Sequence, residues 1–344
     1  MTENYSSVEH LSVVMTTKQV GDGSGVTSSS SGGFNFNFEC AVVLIGIVGA
    51  AANAVILYAL VASKQHKKLV LIANQNVLDL FSCLFLAITY AVKLCNIQLV
   101  GRLGYWLCML ILSYNLLWCV TIGSIINLPI ITVERYVKVV HSAWSKKRLK
   151  KWMIYSAAAF SWIFGFVYGN VLTFSTSTVI DGVCYGQMFY VSRLAKIVNG
   201  IWNFITCYVV ILLIFIFCYW RILAVIRRQA HIMAGHGAAV GSSTAQARSN
   251  QIQSNVIKTM ILVSAFYAIS WGPICVYFLL VNLDAFNLTL VENRFYAAQF
   301  VSFLYICTNP FIYATKFDPV RRVLIGLIHC TKTSEHSTES IELT

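Results

Sequence analysis

Charged side chains are scarce in this sequence. Only 11% of the 344 residues are Asp, Glu, Lys or Arg, whereas soluble domains carry about a quarter. The chain therefore contains seven apolar runs of 21 or more residues, each long enough as a helix to cross a bilayer core of roughly 30 Å. The runs are Cys40–Ala62, Leu69–Val92, Leu103–Val133, Trp152–Ile180, Ile197–Trp220, Thr259–Leu283 and Phe295–Thr315. This pattern excludes a soluble globular domain and predicts an all-α membrane protein, a seven-transmembrane helix bundle.

Motifs for metal, redox and enzymatic chemistry are also missing. The 11 cysteines include no Cys-x-x-Cys pair, so no zinc or redox motif is expected. None of the seven histidines lies in an apolar run, so we expect neither an intramembrane enzyme nor a cofactor. A transporter or channel remains the alternative of another class. Such a protein would show internal repeats and several facing charges, whereas Asp79 is the one acid deep within a run.

The net charge of +12 reflects topology. With seven crossings, 19 of the 25 cations fall on one face, which the positive-inside rule assigns to the cytosol together with the C-terminus. The N-terminus is then extracellular, and so are the glycosylation tripeptides at Asn4 and Asn287. The basic balance predicts contact with anionic lipid of the bilayer and requires no nucleic acid. The six extracellular cations are Lys18, Lys93, Arg102, Arg193, Lys196 and Arg294.

The segments outside the runs define four regions. Residues 1–38 are rich in Gly and Ser and are predicted to be a disordered extracellular tail without a signal peptide, so the first run must direct insertion. Residues 39–316 form the bundle. Residues 317–330 are typical of an amphipathic helix on the membrane surface, ending at Cys330, a candidate for palmitoylation. Residues 331–344 are predicted to be a disordered cytoplasmic tail.

A β-hairpin is predicted in the loop after the fourth run. Residues 175–186 alternate Thr and Val around an Asp-Gly turn. A disulfide bond between Cys108 and Cys184 would hold this hairpin over the mouth of the bundle. Cys40 and Cys95 also lie at extracellular ends of runs, and a second bridge between them is an open alternative.

Short motifs occur at fixed places along the seven runs. They are Asn53 in the first, Leu78-Asp79 in the second, Cys108 and Glu134-Arg135-Tyr136 in the third, Trp162 in the fourth, Cys184 after it, Tyr219 in the fifth, Trp271-Gly-Pro273 in the sixth, and Asn309-Pro310-Phe-Ile-Tyr313 in the seventh. In this order and spacing they resemble the rhodopsin-like (class A) G-protein-coupled receptors over roughly residues 40–330, nearest in character to the peptide receptors. The resemblance implies a plasma-membrane receptor that binds an extracellular ligand and activates heterotrimeric G proteins, with arrestin and a receptor kinase as further partners.

The resemblance also implies roles for these residues. Glu134 holds Arg135, beside Tyr136, until the arginine is released to an inserted G-protein helix. Prolines 273 and 310 kink their helices and let them pivot. Further expectations are that Trp271 senses the ligand, that Tyr219 and Tyr313 approach each other on activation, and that Asn53, Asp79, Ser124 and Asn309 form a polar core that holds a sodium ion in relatives.

Some positions depart from the family pattern. The step from Cys108 to Arg135 is 27 residues, two more than in relatives, and Pro129 lies within this run, so we expect a bulge or a shifted register. Tyr267 replaces the usual phenylalanine before the sixth-run proline. Gln253 stands where many relatives carry a glutamate that restrains the arginine, which leads to the hypothesis of appreciable basal activity.

Two ligand classes are disfavoured. Amine receptors of this family carry an aspartate in the third helix, but the matching residue is Leu117 counting from Arg135 and Asn115 counting from Cys108. Opsins carry their Schiff-base lysine where Phe303 stands. Neither a protonated amine nor retinal is therefore expected.

Aromatic and amide side chains in the runs are the candidates to line a ligand pocket, with helix packing as the alternative for each. They are Asn115, Trp118, Thr121, Asn203, Trp271, Phe278, Phe295 and Gln299. Lys93 is expected to extend to the membrane surface rather than to the ligand. A hairpin over an uncharged pocket favours a peptide ligand. The alternatives are a receptor for a non-peptide small molecule or lipid, and a non-signalling decoy receptor.

Overall fold

The computed structural model describes residues 29–67, 69–95, 97, 99–180, 182–186, 190–235, 244–288, 290, 293–316, 320–323 and 325–326. It describes their side chains except at 29–35, 229–235, 244–256, 287 and 313–316. The chain divides into two units, Met1–Asn37 and Phe38–Thr344. In the first unit, residues 29–37 are helical.

Helices account for most of the described chain. The α-helices are Ser29–Ala62, Val70–Leu94, Gly101–Leu107, Asn115–Val140, Ser142–Arg148, Lys151–Thr176, Arg193–Phe204, Val210–Gly235, Thr244–Asn282 and Asn293–Lys316. Two π-helical turns, Cys108–Leu112 and Ile205–Val209, join neighbouring helices, and 3₁₀ turns lie at Gln65–Lys67 and Ala285–Asn287. Two short strands, Thr178–Ile180 and Val183–Tyr185, form one hairpin.

Within the described residues, seven helical segments are long and apolar enough to cross a membrane. We call them the first to the seventh span: Phe36–Ala62, Val70–Leu94, Gly101–Val140, Lys151–Thr176, Arg193–Arg228, Ile257–Asn282 and Asn293–Ile312. The prediction of a seven-helix bundle is confirmed.

Two predicted boundaries differ from the structure. The first helix begins at Ser29, so residues 29–38, assigned above to a disordered tail, are helical. The physical reason is that apolar Phe36 and Phe38 extend the membrane-spanning pattern towards the N-terminus. The fourth span ends at Thr176, because residues 178–180 are β-branched and pair in a strand instead of continuing the helix.

The third span lies at the centre of the bundle and contacts the second, fourth and fifth spans. Its closest neighbour is the fourth span, whose glycines leave room for the third-span backbone. A Cβ atom at Gly165 would lie 2.3 Å from the carbonyl oxygen of Cys119, and one at Gly169 would lie 2.8 Å from the Cα atom of Cys119. Glycine is therefore required at both positions, as in other membrane helices that approach closely.

An irregular segment lies near the start of the third span, between Cys108 and Asn115. The π-helical turn ends at Leu112, and its cap, the amide of Ser113, donates to the carbonyl of Cys108 over 2.8 Å, a five-residue step. Tyr114 then adopts a left-handed conformation with φ of 64°. From Asn115 the helix runs on through Pro129 to Val140 without interruption. The predicted bulge is therefore present, and it lies beside Cys108 rather than at the proline.

The hairpin and the disulfide bond are both present. Val179 pairs with Cys184 in the antiparallel register, and Gly182 in the turn has φ of 74°, a conformation that glycine adopts without strain. Cys184 is bonded to Cys108 with a Cα–Cα distance of 5.5 Å. We call this the disulfide end of the bundle, and the opposite end, which holds Arg135, the arginine end.

The second bridge that the sequence left open is absent, since Cys40 and Cys95 are both free in the structure. Beyond the seventh span, residues 320–323 and 325–326 are helical, and Val320 is buried against the bundle core. The other residues of the predicted membrane-surface helix, and the tail 331–344, lie outside the described residues.

Candidate functional site

A cavity of about 580 Å³ lies at the disulfide end, within the range of small-molecule sites. The second to seventh spans form its walls, the fourth through Leu172 alone, and the hairpin contributes Val183 and Cys184. Six of the eight residues predicted for a ligand pocket line it. They are Trp118, Asn203, Trp271, Phe278, Phe295 and Gln299.

The other two predicted pocket residues, Asn115 and Thr121, lie elsewhere. Asn115 is buried and donates to the side-chain oxygen of Asn170 in the fourth span over 3.3 Å. The hydroxyl of Thr121 donates to Ser82 in the second span over 3.4 Å. Successive residues of a helix are rotated by about 100°, so counting from either end of an irregular span cannot identify its inner face.

From Tyr114 onwards, the third-span residues that line the cavity form one helical stripe. They are Tyr114, Trp118, Ile122 and Ile125, spaced by three or four residues as one face of a helix requires. Leu112, in the π-helical turn before the stripe, also lines the cavity. The left-handed conformation of Tyr114 places this residue at the start of the stripe. Leu117, the other candidate from counting, is buried outside the cavity lining.

Lys93 lines the cavity, which corrects the expectation that it extends to the membrane surface. Its ammonium group donates to the hydroxyl of Tyr114 and lies 4.2 Å from the centroid of that ring and 5.2 Å from that of Tyr90. The two aromatic rings hold the lysine inside the bundle by cation–π attraction. It is the one cationic residue among the described residues of the lining, which include no acidic residue.

Aromatic rings connect the cavity to the core of the bundle. The rings of Trp118 and Trp271 meet edge to face at 6.4 Å, and Trp271 stacks on Tyr267 at 6.2 Å. The indole nitrogens of both tryptophans are buried and have no acceptor among the described residues. A buried N–H group without a partner is unfavourable, so this part of the cavity suits a ligand that accepts a hydrogen bond.

The fifth and sixth spans are joined by two tyrosines. The hydroxyl of Tyr267, the residue that replaces phenylalanine, donates to the carbonyl of Cys207 within the π-helical turn. The hydroxyl of Tyr208, in the same turn, donates to the carbonyl of Ala268 over 3.0 Å. Both bonds lie less than two turns before Pro273, which removes a helix hydrogen bond and weakens the helix there. The sixth span is therefore tied to the fifth close to its own kink.

Asp79 is fully buried and accepts hydrogen bonds on both carboxylate oxygens. Ser124 and Gln75 donate to Oδ1 over 2.6 Å and 3.1 Å, and Asn309 donates to Oδ2 over 2.9 Å. No lysine, arginine or histidine among the described residues pairs with this carboxylate. Asn53 lies nearby in the first span, where it donates to the carbonyl of Gly49 over 3.0 Å.

The chemical types of these groups fit a sodium ion. Asp79 supplies a carboxylate without a paired cation among the described residues, Ser124 supplies a hydroxyl oxygen, and the side-chain oxygen of Asn309 is buried and has no hydrogen-bond partner in the same part of the chain. Sodium, like other hard cations, takes oxygen ligands. The amide of Gln75, however, already donates to Asp79 and to the Ser124 hydroxyl, the latter over 2.5 Å, so it occupies positions that face the expected ion.

Gln75 and Asn127 were missed in the sequence. Asn127 donates to the side-chain oxygen of Gln75 over 2.9 Å, and Asn74 donates to Asn127 over 3.0 Å. Trp162 of the fourth span completes the chain by donating to Asn74 over 2.8 Å. The only available signal was the run of amides one turn before Asp79, which could equally have indicated helix packing.

The arginine end contains the predicted Glu134–Arg135 pair. The side chains approach to 3.5 Å, and Lys138, one turn later, also pairs with Glu134. Tyr219 bonds to the hydroxyl groups of Thr132, over 3.1 Å, and Ser264, over 2.9 Å. Tyr219 therefore links the third, fifth and sixth spans close to the arginine.

Tyr136 lies beside the pair, with its hydroxyl 3.3 Å from a ring nitrogen of His141. Several predicted positions lie outside the described residues, namely Asn4 and Cys330, together with the side chains of Gln253, Asn287 and Tyr313. Pro310 lies within the described seventh helix, as expected.

The spans, the disulfide-held hairpin and the motifs at the arginine end define a seven-transmembrane receptor. A family model described as 7 transmembrane receptor (rhodopsin family) matches residues 52–313, and the chain belongs to this family. It is thus a G-protein-coupled receptor of the membrane, as the motifs indicated.

Individual relatives are distant. G-protein coupled receptor 15 of Mus musculus is 25% identical over 314 residues, which cover 86% of this chain and 79% of the relative. Galanin receptor type 1 of Mus musculus is 25% identical over 309 residues, which cover 86% of this chain and 82% of the relative. Sphingosine 1-phosphate receptor 1 of Danio rerio is 27% identical over 128 residues, 36% of this chain and 34% of the relative.

Proposed function

We propose that this receptor binds an extracellular peptide in the cavity at the disulfide end and activates heterotrimeric G proteins at the arginine end. It acts as a signalling receptor rather than as an enzyme. The observation that carries the proposal is the cavity of about 580 Å³ under the hairpin, with Trp271 in its lining. A relative named for a peptide, galanin receptor type 1, supports the ligand class.

The proposed topology places the disulfide end outside the cell. The disulfide bond requires an oxidising compartment, and the cations concentrated around the arginine end agree with a cytosolic location. The plasma membrane, an extracellular N-terminus and a cytoplasmic C-terminus follow. The domain limits other than that of the N-terminal tail, the glycosylation of Asn4 and Asn287 and the palmitoylation of Cys330 belong to the same proposal.

Signalling in this account is a shift between two conformations. A ligand that contacts Trp118 and Trp271 changes the packing of Tyr267, which bonds the sixth span to the fifth. The sixth span pivots at Pro273, and Arg135 leaves Glu134 to meet the G protein. A ligand shifts this equilibrium only by the difference between its affinities for the two states. Arrestin and a receptor kinase are further partners at the cytosolic face.

The sodium ion is part of the proposal as an allosteric ligand. Asp79, Ser124 and Asn309 would hold it, and it would supply the positive charge that the buried carboxylate lacks. The Gln75 amide competes for the same oxygens, so we propose that sodium binds weakly in this receptor.

A non-peptide amphiphile is the second candidate ligand. It is favoured by the mainly apolar and aromatic lining around a single cation, Lys93. It would occupy the same cavity and act through the same switch residues.

Pooled-peptide stimulation of cells expressing the receptor tests the peptide proposal. We expect a G-protein response that Trp271→Ala weakens by about tenfold in potency, which corresponds to about 1.4 kcal/mol, the upper part of the range for a buried aromatic contact. Trp220→Ala is the matched control, because this tryptophan is 66% exposed on the membrane-facing surface. No response to any peptide pool at normal surface level, with a response to lipid pools, would favour the second candidate.

A further inference from the structure

We propose that Lys93 binds an anionic group of the ligand, and therefore that the ligand carries a carboxylate or a similar acidic group beside its apolar body. The proposal rests on the proposed function, because it specifies the chemistry of a ligand in the same cavity. It commits to the chemistry of the charge, which a peptide carboxylate and an acidic lipid share.

The position of Lys93 is the first argument. Its side chain lines the cavity and is partly buried, and its ammonium group lies over the ring of Tyr114 at 4.2 Å. The hydrogen bond that it makes goes to a neutral hydroxyl group, that of Tyr114. No carboxylate of the described residues lies within the 4.0 Å of an ion pair with it. The lysine charge is thus held in place and is not neutralised by an ion pair with any described residue.

The charge balance of the cavity is the second argument. Among the described lining residues, Lys93 is the one ionic group. A positive charge among apolar and aromatic walls has lost part of its hydration, and attraction to an opposite charge is stronger in such a site than in water. A cationic ligand would be repelled by the same group. The site therefore discriminates by charge, which is the usual contribution of such a residue to specificity.

The surrounding hydroxyl and indole groups are the third argument. The hydroxyl of Tyr114 lies 3.4 Å from that of Tyr90, so two phenol groups stand beside the ammonium group. Further into the cavity, Trp118 and Trp271 have buried N–H groups without an acceptor among the described residues. An acidic group at Lys93 with a second acceptor near the tryptophans would satisfy all these donors.

Glu39, in the first span, is an acid on which the lysine charge acts without forming an ion pair. Replacing Glu39 by glutamine removes this negative charge and should strengthen the binding of an anionic ligand.

The test compares three probes on the full-length receptor. Two are peptide pools of identical sequences, one with free C-terminal carboxylates and one with C-terminal amides. The third is a panel of fatty acids and lysophospholipids. G-protein activation in cells and thermal stabilisation of the purified receptor are both measured, so that binding is seen even where coupling is weak.

The variants are Lys93→Gln, Lys93→Arg and Glu39→Gln, with Lys196→Gln as the matched control. Lys196 is also a partly buried lysine near the disulfide end, but it pairs with Asp284 and does not line the cavity. We expect Lys93→Gln to lower the potency of the active anionic probe by about tenfold or more, the effect of one hydrogen bond to a charged group. Lys93→Arg should restore most of it, Glu39→Gln should raise it, and Lys196→Gln should leave it unchanged.

The outcomes separate the two proposals. Activation by free-carboxylate peptides but not by their amides identifies a peptide terminus as the anion, whereas activation by the lipids alone identifies a lipid acid. Either result supports the role of Lys93 when Lys93→Gln weakens the response, and overturns that role when Lys93→Gln leaves the response unchanged. Equal activity of acids and amides, unaffected by Lys93→Gln, overturns that role while the ligand cavity stands. If no probe activates or stabilises the wild-type receptor, the proposed function fails and this inference fails with it.

Discussion

The hydroxyl of Tyr267 in the sixth span donates a hydrogen bond to the main-chain carbonyl of Cys207 in the fifth span. Tyr267 is fully buried, and Cys207 lies within a π-helical turn, a feature that leaves backbone groups outside the regular helical ladder. The same tyrosine stacks on Trp271 of the cavity lining. The contact therefore connects the proposed ligand site with the relative position of two spans.

Removal of that hydroxyl should raise basal signalling. In this structure Arg135 is paired with Glu134, so the Tyr267 bond belongs to a conformation in which the arginine is held. A buried hydrogen bond contributes about 1 kcal/mol, which corresponds to roughly a fivefold shift in the equilibrium. We expect Tyr267→Phe to increase ligand-independent G-protein activation by about that factor.

The control for this variant is Tyr58→Phe, since Tyr58 is 57% exposed on the first span. Basal signalling that is equal in both variants and the wild type, at matched surface level, would show that the Tyr267 bond does not restrain the receptor.

Sodium sensitivity should depend on Gln75. Because its amide donates to Asp79 and Ser124, Gln75→Leu removes the competitor and should tighten sodium binding by about tenfold, or about 1.4 kcal/mol. The measurement is thermal stability of the purified receptor across a sodium chloride titration, with choline chloride at the same ionic strength as the reference. Asp79→Asn should abolish the sodium response. A response that is the same in Gln75→Leu and wild type, or that survives Asp79→Asn, would contradict the proposed site.

Loss of the disulfide bond should impair the ligand site more than it destabilises the helix bundle. The bond between Cys108 and Cys184 joins positions 76 residues apart, and native disulfides of small domains contribute about 2–5 kcal/mol. We expect Cys108→Ala with Cys184→Ala to abolish the response to ligand and to reduce surface level. Cys95→Ala, which removes an exposed free cysteine, is the control. An unchanged response in the double variant would show that the hairpin does not contribute to ligand binding.

The ion pairs of Asp284 should remain intact at mildly acidic pH. A hydrogen bond from Lys196, supported by Arg193, holds the pKa of Asp284 below its usual value of 3.8. A carboxylate with a lowered pKa stabilises the fold above its unfolded pKa and loses this contribution as the pH falls through the folded value. Ligand affinity of the wild type and Asp284→Asn should therefore show the same pH dependence between pH 5 and about 8. The contribution itself is small, because the pair is exposed. A wild-type transition near pH 6 that the variant lacks would refute this assignment.

The regular parts of the molecule followed from the sequence, and the irregular parts did not. Apolar length alone predicts the spans, because a bilayer demands uninterrupted helices. The Cys108–Cys184 bond and six residues of the cavity were also predicted. The sequence did not reveal that Asn115 and Thr121 point away from the cavity. The π-helical turn and the left-handed Tyr114 rotate the helix by an amount that cannot be read from residue spacing. The location of Lys93 depends on the same irregular segment of the third span, because the lysine donates its hydrogen bond to the hydroxyl of Tyr114.

The polar core shows the same limit. Asp79 was recognised because a buried acid in a membrane span is costly and is usually functional. Gln75 was not, since an amide in a span can equally face a neighbouring helix. Whether such an amide bonds to the buried acid or packs against a neighbouring helix depends on how the second span is rotated relative to the third.

Constitutive and peptide-stimulated G-protein activation in wild type and Arg135→Ala, at equal surface level, tests whether this chain signals through Arg135. Arg148→Ala, which alters an exposed arginine in the helix after the third span, is the control, and mock-transfected cells set the baseline. We expect basal activity above the baseline and a stimulated signal, both lost in Arg135→Ala and kept in Arg148→Ala. Signalling in Arg135→Ala equal to the wild type, or a wild type that stays at the baseline in every G-protein pathway with every peptide pool, would contradict it.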